Sequence, residues 1–239
     1  MSDEPVIEPS INYYQRLLAM DQDEAAEIVE EHLKSHPKEQ IFDDLLIPAL
    51  NYAKRDFASG RMAENEQQFV LQATRQIIED LDGFKTENES SPAPHAEMTT
   101  AVTTQSLEGT PKVLIIGCPV RDEADELSLL MLRQSLDPLR YELEIIADEL
   151  LAAEIIDQIA EKKVDLVCLA SLPPGGLAQT RYLCKRLRAR FPESKLIVGR
   201  WGSRTDNSNA LTDAGADRTA SKITETRDHI IQLSQILPP

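Results

Sequence analysis

At 239 residues the chain has room for two modest domains, and its net charge of −16 sits mostly at the front: residues 1–83 carry 7 basic and 18 acidic side chains. Phosphate contact needs an excess of Lys and Arg, so this balance argues against general nucleic-acid or anionic-membrane binding. Three widely spaced cysteines give neither a disulfide framework nor a zinc pattern, and no apolar run approaches the roughly 18 residues of a membrane helix.

Residues 1–10 read as a flexible, acidic lead without the apolar centre of a signal peptide, so the expectation is a cytoplasmic protein without membrane insertion. Residues 11–84 carry helical periodicity throughout. Tyr14, Leu17 and Leu18 form the first stripe. Asp21 with Glu24 three positions on reads as an N-cap, and the next helix puts Ala25, Ile28, Val29, His32 and Leu33 on one face before Pro37 stops it. A third helix over 38–59 aligns Phe42, Leu45, Leu46, Ala49, Leu50 and Ala53, with a kink or a break expected at Pro48 and a C-cap at Gly60. A fourth, about 63–81, aligns Phe69, Val70, Ala73, Ile77 and Leu81. Four amphipathic helices on short turns predict a bundle. Residues 85–111 are rich in Ser, Thr, Pro and Glu and read as a disordered linker.

From residue 112 the pattern alternates. Short β-branched runs at 112–117, 141–147, 164–170, 195–199 and about 217–220 are separated by helical stretches at 122–136, 148–162, 176–191, 205–214 and 222–236. Over residues 112–237 this predicts an α/β flavodoxin-type domain with a five-stranded parallel sheet in order 2-1-3-4-5. Ligands of such sheets bind outside the carboxyl ends of the strands. Three turns should therefore face one crevice: 118–122, 171–176 and 200–204.

No catalytic arrangement appears there, and the expectation is a non-enzyme. None of the four histidines (His32, His36, His95, His229) falls in a crevice turn. Ser171 lacks a G-x-S-x-G frame, and Cys118 reads as packing. There is no glycine-rich phosphate loop and no metal-ligand spacing. What does stand out is charge. Gly175 and Gly176 open a helix whose N-terminus carries unpaired N–H donors, and Arg121, Arg200 and Arg204 lie in the neighbouring turns. This set points to a small anionic ligand or an acidic protein partner. The alternative is that the arginines pair with Asp122, Glu123 and Asp206 at the surface. Trp201, the only tryptophan, serves either as packing or as a stacking platform. The basic helix with Arg181, Lys185, Arg186, Arg188 and Arg190 either docks on the acidic bundle or stays solvated.

The order of elements, with LLIPALNYAKRDFASGRMAENEQQF at 45–69, resembles the cobalamin-binding module of methionine synthase, corrinoid proteins and cobalamin-dependent regulators. That resemblance implies a four-helix cap joined by a linker to a flavodoxin-like domain, with cobalamin between them. The family's D-x-H-x-x-G after strand one places a histidine on cobalt. Here the matching stretch has Pro119 for the Asp, Arg121 for the His and Ala124 for the Gly, with Asp122 directly after Arg121. The family's S-x-L after strand three is matched by Ala170, Ser171 and Leu172, and its G-G after strand four by Gly199 and Arg200. The cap's cobalt-covering Trp is matched by Phe57, and a Glu-His pair of the sensor members by Gln67 and Gln68. The departures imply a sensor or regulatory module with altered or lost cobalamin binding. The module is also similar to the soluble tails of autoinducer-exporter-type permeases, which implies a transporter as protein partner. A corrinoid carrier serving a methyltransferase is the alternative. A receiver-like signalling domain is the weaker one, because strand three ends in Ala170–Ser171 where a receiver needs an Asp.

Overall fold

The computed structural model describes residues 8–88, 112–147, 150–162, 164, 166–203 and 207–236. The linker with His95, most of the lead, and Arg204 and Asp206 lie outside these. Helices α1 (Pro9–Leu18) and α2 (Gln22–Leu33) come first, and the Asp21 side chain accepts from the Glu24 N–H at 3.1 Å as the capping pattern requires.

The third rod is not a simple kinked helix. It runs as α3 (Lys38–Ile41), a π-helical turn (Phe42–Leu46) and α4 (Ile47–Ala58). Pro48 explains the widening. It has no N–H to donate, and its ring would collide with the carbonyl four residues back, so the ladder relaxes to wider bonding, with Ile47 N–H on the Phe42 carbonyl. Gly60, at φ +71°, turns the chain out of α4. Helix α5 (Glu64–Asn88) continues past the expected end at Leu81.

The second half is β1 (Val113–Pro119), α6 (Glu123–Ser135), β2 (Tyr141–Ile145), α7 (Ala152–Glu161), β3 (Leu166–Ala170), α8 (Leu177–Arg190), β4 (Lys195–Gly199), α9 (Ser208–Thr212), β5 (Arg218–Ala220) and α10 (Ile223–Ser234). The sheet is parallel in order β2-β1-β3-β4-β5, as the alternation predicts. Strand side chains alternate between two cores, as a period of two demands. Ile115, Leu166, Cys168, Ala170 and Ile197 join the core under α6 and α10. Ile116, Cys118, Val167, Leu169, Leu196 and Val198 join the one under α7, α8 and α9. All three cysteines are buried free thiols, and burial pushes Cys168 and Cys184 up to about 12, which suits packing and not reactivity.

The helical half is not a separate body. Its Phe42, Leu45, Leu46, Leu50 and Ile78 share one continuous core with Leu127, Leu129, Trp201, Ile223 and Ile230 of the α6–α10 layer. The basic helix α8 lies on the opposite face of the sheet. Arg188 there donates to the Gly215 carbonyl and the Asp217 carboxylate, and Arg181, Lys185, Arg186 and Arg190 stay exposed, so the solvated reading is the one realised.

One contact across the halves has the form of a helix cap supplied in trans. Helix α10 has no side-chain cap of its own at Lys222. Asp43, on the π-helical turn, accepts from Ile223 N–H at 2.7 Å, Thr224 N–H at 3.2 Å and the Thr224 hydroxyl at 2.6 Å. Burial pushes its carboxyl above the ordinary value, and these hydrogen bonds draw it partly back. Asp43→Ala is expected to cost about 1–2 kcal/mol, the value of a lost cap, and Asp43→Asn less. Because the folded state raises this pKa, wild type should gain stability relative to Asp43→Asn as pH falls through the acid range, where the carboxyl becomes protonated. Denaturant titrations at two pH values check both statements.

Candidate functional site

The site is built where helix α4 meets the carboxyl edge of the sheet. Lys54 projects from α4 and is 6% exposed. Its Nζ donates to Asp122 Oδ1 at 2.8 Å and to Asp125 Oδ1 at 2.9 Å. Asp122 caps α6, its side chain accepting from the Asp125 N–H. Asp125, fully buried, also accepts from the Leu172 N–H after β3 at 2.8 Å and from the Arg121 N–H at 3.1 Å. One carboxylate thus ties together the cap helix, the turn after β1 and the turn after β3. Burial pushes the Asp125 carboxyl up, the Lys54 ammonium opposes that, and Asp122 adds to it. One turn before Lys54, Asn51 donates to the Trp201 carbonyl after β4 at 3.1 Å. Helix α4 therefore spans the turns after β1 and β4.

The three predicted turns do converge. Arg121 is exposed, and its Nη1 donates to the Pro174 carbonyl at 3.2 Å. Arg200 is 7% exposed, and its Nη1 donates to Ser171 Oγ at 3.0 Å and to the Gly175 carbonyl at 3.1 Å. Both side chains crowd the two glycines. A Cβ at Gly175 would stand 2.5 Å from Arg121 Nη1, and one at Gly176 would stand 2.5 Å from Ser171 Oγ. The glycines also hold φ of +81° and +74°, so the turn after β3 admits no side chain on either count. Gly176 then opens α8 without a side-chain cap.

Among the described residues the alternative pairing, of Arg121 and Arg200 with Asp122 and Glu123, does not form. Asp122 goes to Lys54. Glu123, with Glu126, goes to Arg75 of α5 at 2.9 and 3.2 Å. Among the described residues neither Arg121 nor Arg200 has a carboxylate partner. Sequence reasoning missed Lys54, Asn51 and Asp125. The one available signal was a lysine one position beyond Ala53 on an otherwise apolar helix stripe.

The remaining candidates divide by reach. Pro119, Ala170, Ser171, Leu172, Gly176 and Gly199 are buried, and only Arg121, Gly175, Phe57 and part of Asp122 face solvent. Phe57 lies one turn beyond Lys54 at the exposed end of α4. Trp201 is packing: it is fully buried, its Nε1 donates to Thr226 Oγ1 at 2.8 Å, and its indole covers Gly199 so closely that a Cβ there would meet it at 2.3 Å. The described histidines are elsewhere. His32 on α2 stacks at 4.0 Å against His36 just past the helix end, beside an open groove of about 420 Å³ that His32 lines with Asp44, Asn51 and Gly202, and His229 sits on α10. No cluster of three or more potential metal ligands occurs among the described residues, and none of their helices is long and apolar enough to cross a membrane.

Residues 12–81 match the family model described as B12 binding domain. That stretch is the helical half, α1 into α5. By fold the likeness extends over the whole chain. The monomethylamine corrinoid protein of Methanosarcina barkeri superposes with a TM-score of 0.65 at 15% identity, covering 95% of this chain and 98% of that one. A cobalamin-binding protein from Desulfitobacterium hafniense DCB-2 matches more loosely, at a TM-score of 0.41 and 13% identity, over 93% and 97%. So does the methanol:cobalamin methyltransferase complex MtaBC of Methanosarcina barkeri, at 0.41 and 12%, over 98% and 82%. No curated protein matches the sequence. Residues 12–81 are thus similar to a B12 binding domain, and the whole chain has the fold of a corrinoid protein.

The chemistry of the donor set limits how a corrinoid could sit here. The turn after β1 presents a guanidinium, which has no lone pair to give a metal. The space beside Gly199 is already taken by the indole of Trp201. These residues do not fit a corrinoid ligated by a histidine of that turn with a group laid against Gly199.

The buried node can be tested directly. Lys54→Met leaves Asp125 buried without its cation, and removing one partner of a buried pair costs about 3–5 kcal/mol. Adding Asp125→Asn should recover part of that loss. Chemical denaturation of the two variants measures the coupling, and equal stabilities would refute it.

Proposed function

We propose that the protein is a non-enzymatic corrinoid-binding module of the carrier type, offering its ligand at the edge between α4 and the sheet to a partner methyltransferase. The observation that carries this is the clamp of a helical unit matching the B12 binding domain onto the carboxyl edge, through Lys54, Asp122 and Asp125. Of the readings drawn from the sequence, the comparisons favour this one over a sensor. A bound corrinoid would supply a cobalt centre able to accept and release a methyl group. Arg121 has no lone pair to give a metal, so a corrinoid held here would keep its own base, and a base-on form is the one this site would take.

On this reading any turnover belongs to the partner and none to this chain. The second reading is a regulatory module that has given up cobalamin, with a transporter among its candidate partners. It is favoured by the indole over Gly199 and the guanidinium at Arg121.

Titration with aquocobalamin, followed by gel filtration and visible spectra, separates the two. The expected result is co-elution with a base-on spectrum. Arg121→His should convert this to a base-off spectrum with imidazole on cobalt. Failure to co-elute at micromolar protein would leave the regulatory reading. A base-off spectrum in wild type would contradict the role given to Arg121.

A further inference from the structure

We propose that the turn entering α8 is a binding site for a phosphate-type oxyanion, formed by the Arg121 guanidinium, the first-turn N–H groups of α8 and the buried Arg200 beneath them. This rests on the reading of the edge as a ligand site and names the group that is recognised there.

Three observations converge on the turn. First, α8 is a helix of 14 residues that opens at Gly176 with no side-chain cap. Its leading N–H groups have no partner within the helix and carry its positive end. Second, Arg121 reaches the same turn from the loop after β1. It is exposed, and a carbonyl holds it only through Nη1. Third, and independently, Arg200 is more than nine-tenths buried with its guanidinium turned into the turn, Nη1 on the Gly175 carbonyl and 3.7 Å from where a Gly176 Cβ would stand. Its Nε is buried and finds no acceptor.

A buried cation normally has a counter-charge within hydrogen-bond reach. Asp125 supplies a distant field, but its own oxygens are occupied by Lys54 and by the Leu172 and Arg121 N–H groups. Burial accordingly pulls the Arg200 pKa down. An oxyanion at the mouth of the turn would supply the missing charge. A tetrahedral phosphate can accept from a planar guanidinium and from helix N–H groups together, the geometry each favours. Glycine at 175 and 176 keeps the approach open, since a side chain at either position would meet Arg121 or Ser171.

Trp201, the sole tryptophan and the neighbour of Arg200, provides the signal. The full chain, in a phosphate-free buffer, is titrated with inorganic phosphate at constant ionic strength while Trp201 fluorescence and phosphorus NMR line width are followed. The expected result is a saturable change in both, weakened about ten- to hundredfold in Arg121→Gln, as loss of one charge-assisted hydrogen bond implies. Arg200→Met should weaken it at least as much. If that variant fails to fold, the exposed Arg121 still decides the matter. A response that does not saturate, or that Arg121→Gln leaves unchanged, marks an adventitious ion only and overturns the proposal.

Two further arms name the source of the anion. Competition by phosphate against cobalamin, which carries a phosphodiester, but not against cobinamide, which lacks one, places a corrinoid's phosphodiester in the turn. Saturable phosphate binding without any corrinoid binding keeps the site for a free phosphate or phosphate monoester, while the carrier function fails. Corrinoid binding indifferent to phosphate keeps the carrier function and defeats the site.

Discussion

The Lys54 ammonium lies between two carboxylates at a junction where three segments of chain must meet. Burying such a cluster is not a route to net stability, because removing charges from water costs about as much as their attraction returns. Its value is positional. Asp125 cannot be satisfied unless α4 delivers Lys54, the turn after β1 delivers the Arg121 N–H, and the turn after β3 delivers the Leu172 N–H. A slide of α4 by one turn would strand a fully buried carboxylate. An apolar core shared between the halves tolerates several registers, whereas this node tolerates one.

The node also decides where the remaining charge goes. Helix α6 opens with Asp122, Glu123, Asp125 and Glu126, an acidic first turn suited to its dipole. These acids would be the natural partners of Arg121, a few residues away, and of Arg200, which the sheet brings to the same edge. The helical half takes them instead: Lys54 holds Asp122 and Asp125, and Arg75 holds Glu123 and Glu126. Docking of an acidic bundle through its few well-placed cations therefore leaves the guanidiniums at the sheet edge without carboxylates. The positive character of the edge is a product of assembly, and neither half shows it alone.

This explains what could and could not be read from the chain. The 3.6-residue period reflects burial of one face, so Phe42, Leu45 and Leu50 on the rod declared their side in advance. Strand order followed from right-handed crossovers. The convergence of the turns holding Arg121, Gly175, Gly176 and Arg200 followed from the parallel sheet. The partner of each charge did not follow, because ion pairs across 68 or 71 residues depend on a docking register that no local pattern encodes. Asp43 caps a helix 180 residues away, a partnership hidden for the same reason. Pro48 announced an irregularity, but whether the ladder would break or widen depended on Phe42, Leu45 and Leu46 all being needed in the core, and a π-helical turn keeps all of them there.

Trp201 and Arg200 show how neighbouring residues can divide a strand end between fold and function. After β4 the chain places Trp201 inward, where its indole closes over Gly199 and bonds to Thr226, and so ties β4 to α10. With the indole fixed, the backbone at residue 200 has little freedom, and its guanidinium is directed to the opposite side, toward Ser171 and Gly175. A large apolar anchor thus holds a buried cation in place despite the cost of desolvating it. The glycine spared a side chain at 199 serves the protein's own tryptophan, and the glycines at 175 and 176 keep the neighbouring turn open. In this chain the indole fills the space at the end of β4, and the turn without side chains is the one that leads from β3 into α8.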